Sequence, residues 1–495
     1  MAVGLILAGS WPFQKVNQVK LVGSLILLCC VSACFAQTAS PSPNASPTPD
    51  QSPDAFVPPP FRQLRYEEDY EYLKDKTKRK EWLDKLKYMP FGKEGWYLTI
   101  GGEVRLRYER YRNVGFGLGI QDRSGYLLQR YLLHADWHLG KNFRLFTQLQ
   151  TGFVNDRGGG PRPTDKDLFD IHQAFADYKI NFAKNRYLIL RVGRQELDFG
   201  SGRLISANEG PNIRRTFDAA RVIYKPNSNW AVNGIFSKLV NTRPGVLDDR
   251  PTSSQTSWAV SGIRTRQNGR GSFALYYIGI DRKASVFNQG TARESRHTFG
   301  GRISGVFDRF DYNYELIGQA GTFGKGSIRA FAVVTDTGLN LQKVNLRPRV
   351  GLQADITSGD KNPSDANLQS FNPLFPGSAY SGAIALVGPT NIIDLTPSLR
   401  FIVDSKITFT LDSAFYWRQS VNDGFYGINT NLLRVGNLSR ERFVGGMPSV
   451  RMDYRINRHF SNAVIVSHFF PGTFLKETPP GKDVDYFSTW LTYRF

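Results

Sequence analysis

Charged residues occupy alternate positions near the end of residues 97–111, YLTIGGEVRLRYERY, and could act together on ionic solutes. Glu103, Arg105, Arg107 and Glu109 are each separated by one apolar or aromatic residue. A guanidinium is always charged and donates hydrogen bonds in a planar fork that matches a carboxylate. Such a face could therefore attract carboxylate-bearing solutes, or pair with acids of its own chain.

The spacing of these charges predicts a β-strand, because side chains of a strand alternate between two faces. A helix with the same order would scatter the charges around its axis. The alternation recurs along the chain with few continuous apolar runs, and aromatic residues gather near strand ends, as in outer-membrane barrels. We therefore expect the apolar face to meet lipid and the charged face to line a wet lumen.

Composition narrows the classes of protein that fit. Only 41% of the 495 residues are hydrophobic and the mean hydropathy is -0.35, which excludes a polytopic helical membrane protein, whose spans need about 20 consecutive apolar residues each. The formal charge of +20 implies an anionic partner. Nucleic acid is the weakest candidate, because the arginines are dispersed through strands rather than clustered on a helix.

The amino terminus has the features of an export signal. Residues 1–36 contain lysines ahead of the apolar run 21–31, followed by small residues, and we predict cleavage after Ala36. The sequence VSAC also resembles a lipobox, in which Cys34 would become a lipidated first residue, and this alternative stays open. All three cysteines lie in this segment, so no disulfide framework or cysteine metal site is expected beyond it.

Three further regions follow the signal peptide. Residues 37–61 form a Pro/Ser-rich periplasmic linker without the means to build a core. Residues 62–96 are charged, with acids ahead of bases in the order that a helix dipole favours, so a helix at the periplasmic mouth and a solvated segment are both open. Residues 97–495 form the barrel.

The barrel is predicted to be an all-β, transmembrane antiparallel β-barrel of about 18 strands, an even number as in single-chain bacterial barrels. Short periplasmic turns alternate with long extracellular loops, the longest being residues 357–394. The terminal strand ends on Phe495 and resembles the signal by which the barrel-assembly machinery recognises its substrates. The predicted strand starts are Tyr97, Tyr126, Phe143, Asp170, Tyr187, Asp218, Trp230, Ser257, Ser272, Ser295, Phe310, Ser327, Arg347, Leu395, Ile407, Phe443, His459 and Asp485.

Two groups of residues suggest other chemistry. His134, Asp136 and His138 share a strand face, but four residues along a strand span roughly 13 Å, too far for both imidazoles to bind one metal ion. His459 and Ser461, followed by an asparagine, resemble the Ser/His/Asn set of barrel phospholipases. That match is short and lacks the glycine expected after the asparagine, yet an outer-membrane hydrolase remains a rival hypothesis.

Long ordered motifs are similar to those of the alginate-export family of bacterial outer-membrane barrels, from roughly residue 65 to residue 495. They include LTIGGEVRLRYE (98–109), GYLLQRYLLHADWHLG (125–140), GGPRP (159–163), RVGRQELDFGSGRLISANEGPNIRRTFDAARV (191–222), FNPLFPGSAYSG (371–382), GPTNIIDLTPSLR (388–400) and YWRQSVNDGFYG (416–427). The resemblance implies a monomeric pore that passes a polyuronate through a basic lumen, with neither catalytic residues, cofactor nor metal.

The resemblance also implies which residues line the path. The basic set is Arg105, Arg107, Arg130, Arg144, Arg191, Arg194, Arg214, Arg215, Arg400 and Arg418, and the balancing acids are Glu103, Asp136, Glu196, Asp198 and Asp218. Any single arginine could instead pair with an acid across the lumen. A general porin for small anions, a hydrolase and an adhesion or structural barrel are the alternatives, and the direction of transport stays open between export and uptake.

Overall fold

The fold is a closed antiparallel β-barrel. The computed structural model describes residues 56–122, 124–266, 269–378, 382 and 384–495. Within these residues the first of 18 barrel strands pairs with both the second and the last, which closes the sheet. The predicted signal peptide, including Cys34 and Ala36, and residues 37–55 lie outside the described part of the chain.

The barrel strands are numbered in chain order. They are β1 Trp96–Arg112, β2 Tyr126–Leu139, β3 Phe143–Asn155, β4 Asp167–Ala183, β5 Arg186–Gln195, β6 Phe217–Asn227, β7 Trp230–Asn241, β8 Gln255–Thr265, β9 Gly271–Phe287, β10 Gly290–Phe307, β11 Phe310–Phe323, β12 Gly326–Asn340, β13 Arg349–Thr357, β14 Ile392–Ile402, β15 Ile407–Arg418, β16 Phe443–Tyr454, β17 Phe460–Pro471 and β18 Val484–Arg494. The 18-strand prediction is confirmed.

The two rims of the barrel differ in loop length, as predicted. Connections such as 196–216, 358–391 and 419–442 are long, whereas the opposite rim, where β1 begins and β18 ends, carries mostly tight turns. The largest error in a predicted strand start is at β10, which begins at Gly290 rather than Ser295. There β9 and β10 continue beyond their neighbours and join through a two-residue turn, so the long-loop rim is taller on that side.

The two faces of the strands meet different surroundings. Large apolar side chains such as Leu133, Phe236 and Leu316 are exposed on the outer surface, as the strand alternation predicts. The inner face is less uniformly polar than predicted, because Ile278 and Ala332 are buried against residues of two loops that fold into the barrel. Apolar side chains on those loops can leave water only by packing on the wall, so part of the inner face is apolar.

We call residues 196–216 and 358–391 the inner loops. They contact each other through main-chain hydrogen bonds, in which Phe375 N donates to Leu204 O at 2.8 Å and Ser206 N donates to Phe375 O at 3.0 Å. Apolar residues from both loops share one buried cluster with the inner faces of β6–β9, β11 and β12. The loops are therefore packed parts of the barrel interior rather than surface connections alone.

The segment before β1 forms neither a single helix nor a solvated stretch. It contains one-turn elements at Arg65–Glu67, Glu71–Lys74, Lys76–Lys78 and Asp84–Lys87. Its side chains Tyr66 and Leu73 are buried. Within the described residues, no helix is long and apolar enough to cross a bilayer.

Arg65 explains how this segment is attached to the barrel. Its guanidinium is buried and donates to Gly102 O at 2.9 Å and to Phe495 O at 2.7 Å. Its Nε also donates to Glu68 at 2.8 Å, so the charge is compensated. One side chain thus ties residues 56–95 to the seam where β1 meets the last strand.

Candidate functional site

The inner loops connect opposite sides of the barrel wall. Arg107 on β1 donates from Nη1 to Gly210 O at 2.6 Å, which holds loop 196–216 against the first strand. Arg296 on β10 donates to Ser370 O at 3.1 Å, and Gln319 on β11 donates to Asn372 O at 2.7 Å, which holds loop 358–391 on the far side. Because the loops also contact each other, together they span the lumen.

A buried network of ion pairs joins β1, β2 and loop 196–216. Arg130 lies 2.6 Å from Glu103 and also contacts Glu209. Arg214 lies 2.9 Å from Glu209 and 2.7 Å from Glu196. Several of these groups are almost completely excluded from solvent. Such charges are stable in a low-dielectric interior only when opposite charges and hydrogen bonds compensate them.

The electrostatics of Glu209 show this compensation. Burial alone would raise the pKa of this loop carboxyl, but the guanidiniums of Arg130 and Arg214 lower it to about 2. For Arg214, the carboxylates of Glu196 and Glu209 outweigh burial and raise its pKa. Both groups are consequently charged at neutral pH, and each neutralises the charge of the other.

A second group of pairs continues along β2–β5. Arg144 makes a bidentate contact with Asp136 at 2.7 and 2.6 Å, and Arg191 does the same with Asp177 at 2.7 and 2.8 Å. Tyr66 from the segment before β1 covers them, because its carbonyl accepts from Arg144 at 2.6 Å and its ring lies 4.4 Å from the Arg191 guanidinium. This segment therefore lies inside the barrel against the wall.

We call the inward-facing arginines of β1–β5, together with Arg214 of loop 196–216, the paired wall, because each of them contacts a carboxylate. Besides the pairs above, Arg105 reaches Glu209 at 3.4 Å and Arg107 reaches Glu109 at 2.6 Å. Seven of the ten predicted arginines have a carboxylate within 4.0 Å: Arg105, Arg107, Arg130, Arg144, Arg191, Arg194 and Arg214. Six of the seven face the interior, where pairing accounts for their position without a solute.

Arg194 and Asp218 lie on the outer face of the barrel, so their predicted place in the lumen is wrong. Arg194 is in phase with the exposed Leu190 and Val192 of β5, and Asp218, opposite it in the register, is in phase with the exposed Val222 of β6. The two side chains pair with each other at 2.8 Å.

Arg215 differs from its neighbour Arg214. Its Nη1 donates to three main-chain carbonyls, of Ser206, Phe375 and Pro376, at 2.9, 2.7 and 3.2 Å. Among the described residues no carboxylate lies within 4.0 Å of it. Burial and the nearby charge of Arg282 lower the pKa of Arg215 to about 10, so it remains charged at neutral pH.

Arg282 on β9 completes a basic pair at the point where the inner loops meet. Its guanidinium lies 5.7 Å from the Phe375 ring, and that of Arg215 lies 5.8 Å from the same ring. Arg282 donates to Leu374 O at 3.2 Å, and its nearest carboxylate oxygen, on Glu294, is 3.7 Å away. The sequence analysis did not single out Arg282, because only the folding of loop 358–391 brings it beside Arg215.

Arg400 on β14 lies apart from this pair, opposite Arg349 of β13 in the strand register. Arg349 takes both nearby acids, Asp311 at 2.6 Å and Asp336 at 2.9 Å. Arg400 is half-buried, and within the described part of the chain no ion pair forms at its guanidinium. The two arginines and two aspartates of this group nevertheless balance in formal charge.

Arg418 is fully buried at the end of β15. It donates to five main-chain carbonyls of the connection 419–442, including Ser439 O at 2.6 Å and Glu441 O at 2.7 Å, and its guanidinium lies 4.0 Å from the Phe474 ring. These contacts position a loop. Its predicted place on the solute path rests on the family resemblance alone.

Of the five predicted acids, Asp198 alone forms no ion pair with another described residue. Its Oδ1 accepts from Ala207 N at 3.0 Å and its Oδ2 accepts from Gln63 at 3.4 Å. Burial raises its pKa. Glu209 and Phe375, which the sequence analysis missed, lie in the motifs at 191–222 and 371–382, and their inward position has no signal in the alternation of strands.

The candidate hydrolase and metal residues have other partners. His459 places Nδ1 2.6 Å from Arg494 O and Nε2 2.8 Å from Glu81, so both ring nitrogens are engaged away from Ser461. His138 contacts Asp136 at 3.2 Å, whereas His134 stacks on Phe146. In the structure, these histidines contact groups of the fold rather than the partners that a hydrolase or a metal site would need.

Comparisons with known proteins agree with this architecture. A family model described as alginate export matches residues 96–487. No curated protein matches the chain. Solved structures with the same fold include a BenF-like porin from Pseudomonas fluorescens Pf-5, with 10% identity, a TM-score of 0.55, and coverage of 80% of this chain and 98% of that one.

Two Pseudomonas aeruginosa structures are also similar. OpdO has 14% identity and a TM-score of 0.54, with 80% of this chain and 97% of that chain covered. OccK2 (OpdF), solved in complex with glucuronate, has 12% identity and a TM-score of 0.52, with 80% and 98% covered. At these identities the likeness shows the fold alone. The match over nearly the whole barrel sequence shows that this chain belongs to the alginate export family of outer-membrane β-barrels.

Proposed function

We propose that this outer-membrane channel moves an anionic polysaccharide of the polyuronate type, or its oligomers, by facilitated diffusion. The observation that carries the proposal is the position of Arg215 and Arg282 beside Phe375, where the inner loops meet. A charged solute crossing the lumen at this level would meet two guanidiniums that no acid fully neutralises. The proposal holds for export and for uptake, because facilitated diffusion follows the concentration gradient.

The contrast with the paired wall explains why these two arginines matter most. A guanidinium already bound by a carboxylate of the protein offers little net charge to a solute. Arg215 donates only to carbonyls, and Arg282 has its closest carboxylate at 3.7 Å. Charge-assisted hydrogen bonds from such groups are stronger than neutral ones, so a passing carboxylate would be favoured over a neutral sugar.

Release of the polymer requires that binding stays weak at each position. The acids of the paired wall limit the total positive charge of the lumen, and Arg400 offers a separate binding position beyond the inner loops. A polyanion could then exchange one arginine for the next. Several weak contacts suit a channel better than one strong site, because a tightly bound polymer would block it.

We place the segment before β1 and the tight turns on the periplasmic side, and the long loops outside the cell. On this orientation, residues 56–95 occupy part of the lumen from the periplasmic side, tied there by Arg65 and Tyr66. The inner loops enter from the opposite side. Movement of either set of residues would change the width of the path, so both are candidate gates.

The test is single-channel conductance of the refolded mature chain in a planar bilayer. Glucuronate, an oligouronate and a polyuronate are added in turn, and a neutral glucan of matched length is the control. We expect anion-selective current that the uronate polymers block and the glucan does not. Equal sensitivity to both polymers, or none to either, would leave a general small-anion porin instead.

A double variant connects this behaviour to the structure. Arg215→Gln with Arg282→Gln should weaken the block by polyuronate and lower anion selectivity. Arg293→Gln is the matched control, because Arg293 is exposed and pairs with Asp281 at 2.8 Å. Unchanged block in the double variant would remove the basic pair from the path.

A further inference from the structure

Three carboxylates meet near the long-loop rim, where the connection 242–254 passes the start of β4, and a fourth lies nearby. Asp170 of β4 and Asp248 and Asp249 of the connection each place one carboxylate oxygen within 4.8 Å of the other two. Asp167, the first residue of β4, interacts electrostatically with all three. The strand and the loop thus bring together acids that are about 80 residues apart in sequence.

Two of these acids have unused ligand atoms in the protein interior. Asp167 is fully buried; its Oδ2 accepts from Gln150 at 2.6 Å, whereas Oδ1 is buried without a hydrogen-bond partner. Asp248 also has a buried Oδ1 without a partner. A buried carboxylate oxygen that lacks a donor is costly, so these atoms point to a ligand beyond the acids themselves.

The positive charge around the four acids does not balance them. Among the described residues, the one ion pair made by this group joins Arg194 to Asp170 at 3.5 Å, and Arg194 lies closer to Asp218, at 2.8 Å. Arg250 donates to the carbonyls of Leu247 and Asp249 rather than to a carboxylate. A bound cation would supply the missing charge.

We propose that Asp167, Asp170, Asp248 and Asp249 form a calcium site that fastens the connection 242–254 to β4. Calcium binds six to eight oxygen ligands at about 2.3–2.6 Å, so two ligand atoms of one ion lie no more than about 5 Å apart, as those of Asp170, Asp248 and Asp249 do. Carboxylate oxygens are hard ligands, whereas zinc sites are usually built from Cys and His with some acids.

Magnesium fits this arrangement less well. It requires near-ideal octahedral geometry at about 2.0–2.1 Å and usually keeps several waters. Here three carboxylates converge from a strand and a separate loop, with Asp167 nearby, which favours the larger ion with its adaptable geometry. The remaining ligands of calcium would be water or main-chain oxygens.

The cation would strengthen a weak attachment of the loop. Apart from the acids, loop and strand are joined by main-chain hydrogen bonds, such as Leu247 N to Phe169 O at 2.9 Å and Leu168 N to Gly245 O at 3.2 Å. The connection 242–254 directly follows β7. Near the end of β7, Val240 N donates to Thr216 O at 3.0 Å, and Thr216 is the last residue of inner loop 196–216. Calcium would therefore also support the base of that inner loop.

Binding is measured by isothermal titration calorimetry on the refolded, chelator-treated mature chain in detergent, with calcium chloride and then magnesium chloride. We expect one calcium per chain, with a dissociation constant on the order of 10⁻⁴ to 10⁻³ M or tighter, as in extracellular calcium modules. Magnesium should bind more weakly. No heat of binding at millimolar calcium, or equal affinity for magnesium, would overturn the proposal.

Two variants locate the site. Asp170→Asn and Asp248→Asn keep the side-chain shape but remove a charge, and each should weaken calcium binding by about tenfold or more, because one carboxylate ligand is lost. Asp281→Asn, at an acid paired with Arg293 away from the cluster, should bind calcium as the wild type does.

A second measurement separates binding from folding. Calcium should raise the thermal unfolding temperature of the wild type and of Asp281→Asn, but not of the cluster variants, because a ligand stabilises the state that binds it. If Asp170→Asn fails to fold, the half-buried Asp248 gives the deciding variant. Wild-type affinity in Asp248→Asn would place the ion elsewhere and reject the site.

Discussion

The paired wall and the basic pair at Phe375 contain the same residue type in opposite situations. On the wall, Arg130 and Arg214 are almost fully buried and bound to Glu103, Glu209 and Glu196. At the meeting point of the inner loops, Arg215 donates to carbonyls instead, and the nearest carboxylate oxygen to Arg282 is 3.7 Å away. Burying a charge requires a compensating charge, so the wall arginines serve the fold, whereas we propose that the pair at Phe375 acts on the solute.

Breaking the paired wall should have the largest effect on stability. Glu103→Gln would remove one of the two carboxylates that the buried guanidinium of Arg130 contacts, and the carboxylate paired with the partly buried Arg494. Removing one partner of a buried ion pair costs about 3–5 kcal/mol. Urea unfolding of the refolded chain measures the loss. Asp308→Asn, at an exposed acid next to Arg309, should change stability by about 0.5 kcal/mol at most, and equal losses in the two variants would contradict the distinction.

Lys87 tests whether a cation inside the barrel but without an ion pair is costly. It is buried within the segment before β1 and donates to Ile100 O at 2.9 Å. Burial, followed by the charge of Arg65, lowers the pKa of Lys87 from 10.5 to about 7. Below pH 7 the side chain is charged in both folded and unfolded states, so the cost of burying the charge is fully present. Stability should therefore rise between pH 7 and 10.5 as the folded state loses its proton first.

Lys87→Met should remove this pH dependence and stabilise the protein at pH 6. Since one pKa unit corresponds to about 1.36 kcal/mol, the gain at pH 6 should reach a few kcal/mol. Unfolding curves between pH 6 and 10.5 provide the measurement. Lys85→Met is the matched control, because Lys85 is exposed in the same turn, and it should leave the slope unchanged. A wild-type slope in Lys87→Met would assign the dependence to another group.

Arg215→Gln tests the basic pair at Phe375 rather than the paired wall. A hydrogen bond to a charged group contributes about 1.5–3 kcal/mol, so loss of this guanidinium should weaken oligouronate block by about tenfold or more. Stability should change less than in Glu103→Gln, since no carboxylate is left unpaired. Block of single-channel current and urea unfolding are measured on the same preparation. A large loss of stability with unchanged block would reassign Arg215 to the fold.

Arg400→Gln should have the smallest effect. Its guanidinium is half-buried and unpaired among the described residues, so stability should change by about 0.5 kcal/mol or less. Anion selectivity should fall slightly, in the same direction as in Arg215→Gln, because one positive charge is removed. Reversal potentials in a salt gradient measure it. A rise in anion selectivity would show that Arg400 does not act on the permeating ions.

Much of the barrel was predictable because each strand carries its own signal. Alternation in residues 97–111 predicted β1, and the tight turns predicted where strands reverse, so the 18 strands were found with only β10 clearly misplaced. The segment 62–96 was harder, because its order of charges suggested a helix dipole. In the structure its conformation depends on contacts of Arg65 and Tyr66 with the barrel, which local sequence does not contain.

The strand number, the antiparallel barrel, the division between short and long connections, and the family could be predicted from the amino-acid sequence. These features follow from local periodicity and from ordered motifs. Which arginines are neutralised depends on the folded chain, because Glu209 and Phe375 reach their partners through loops that fold across the lumen. The same is true of the four acids near β4. Electrostatic interaction depends on distance and burial in three dimensions, and neither is encoded in the alternation of a single strand.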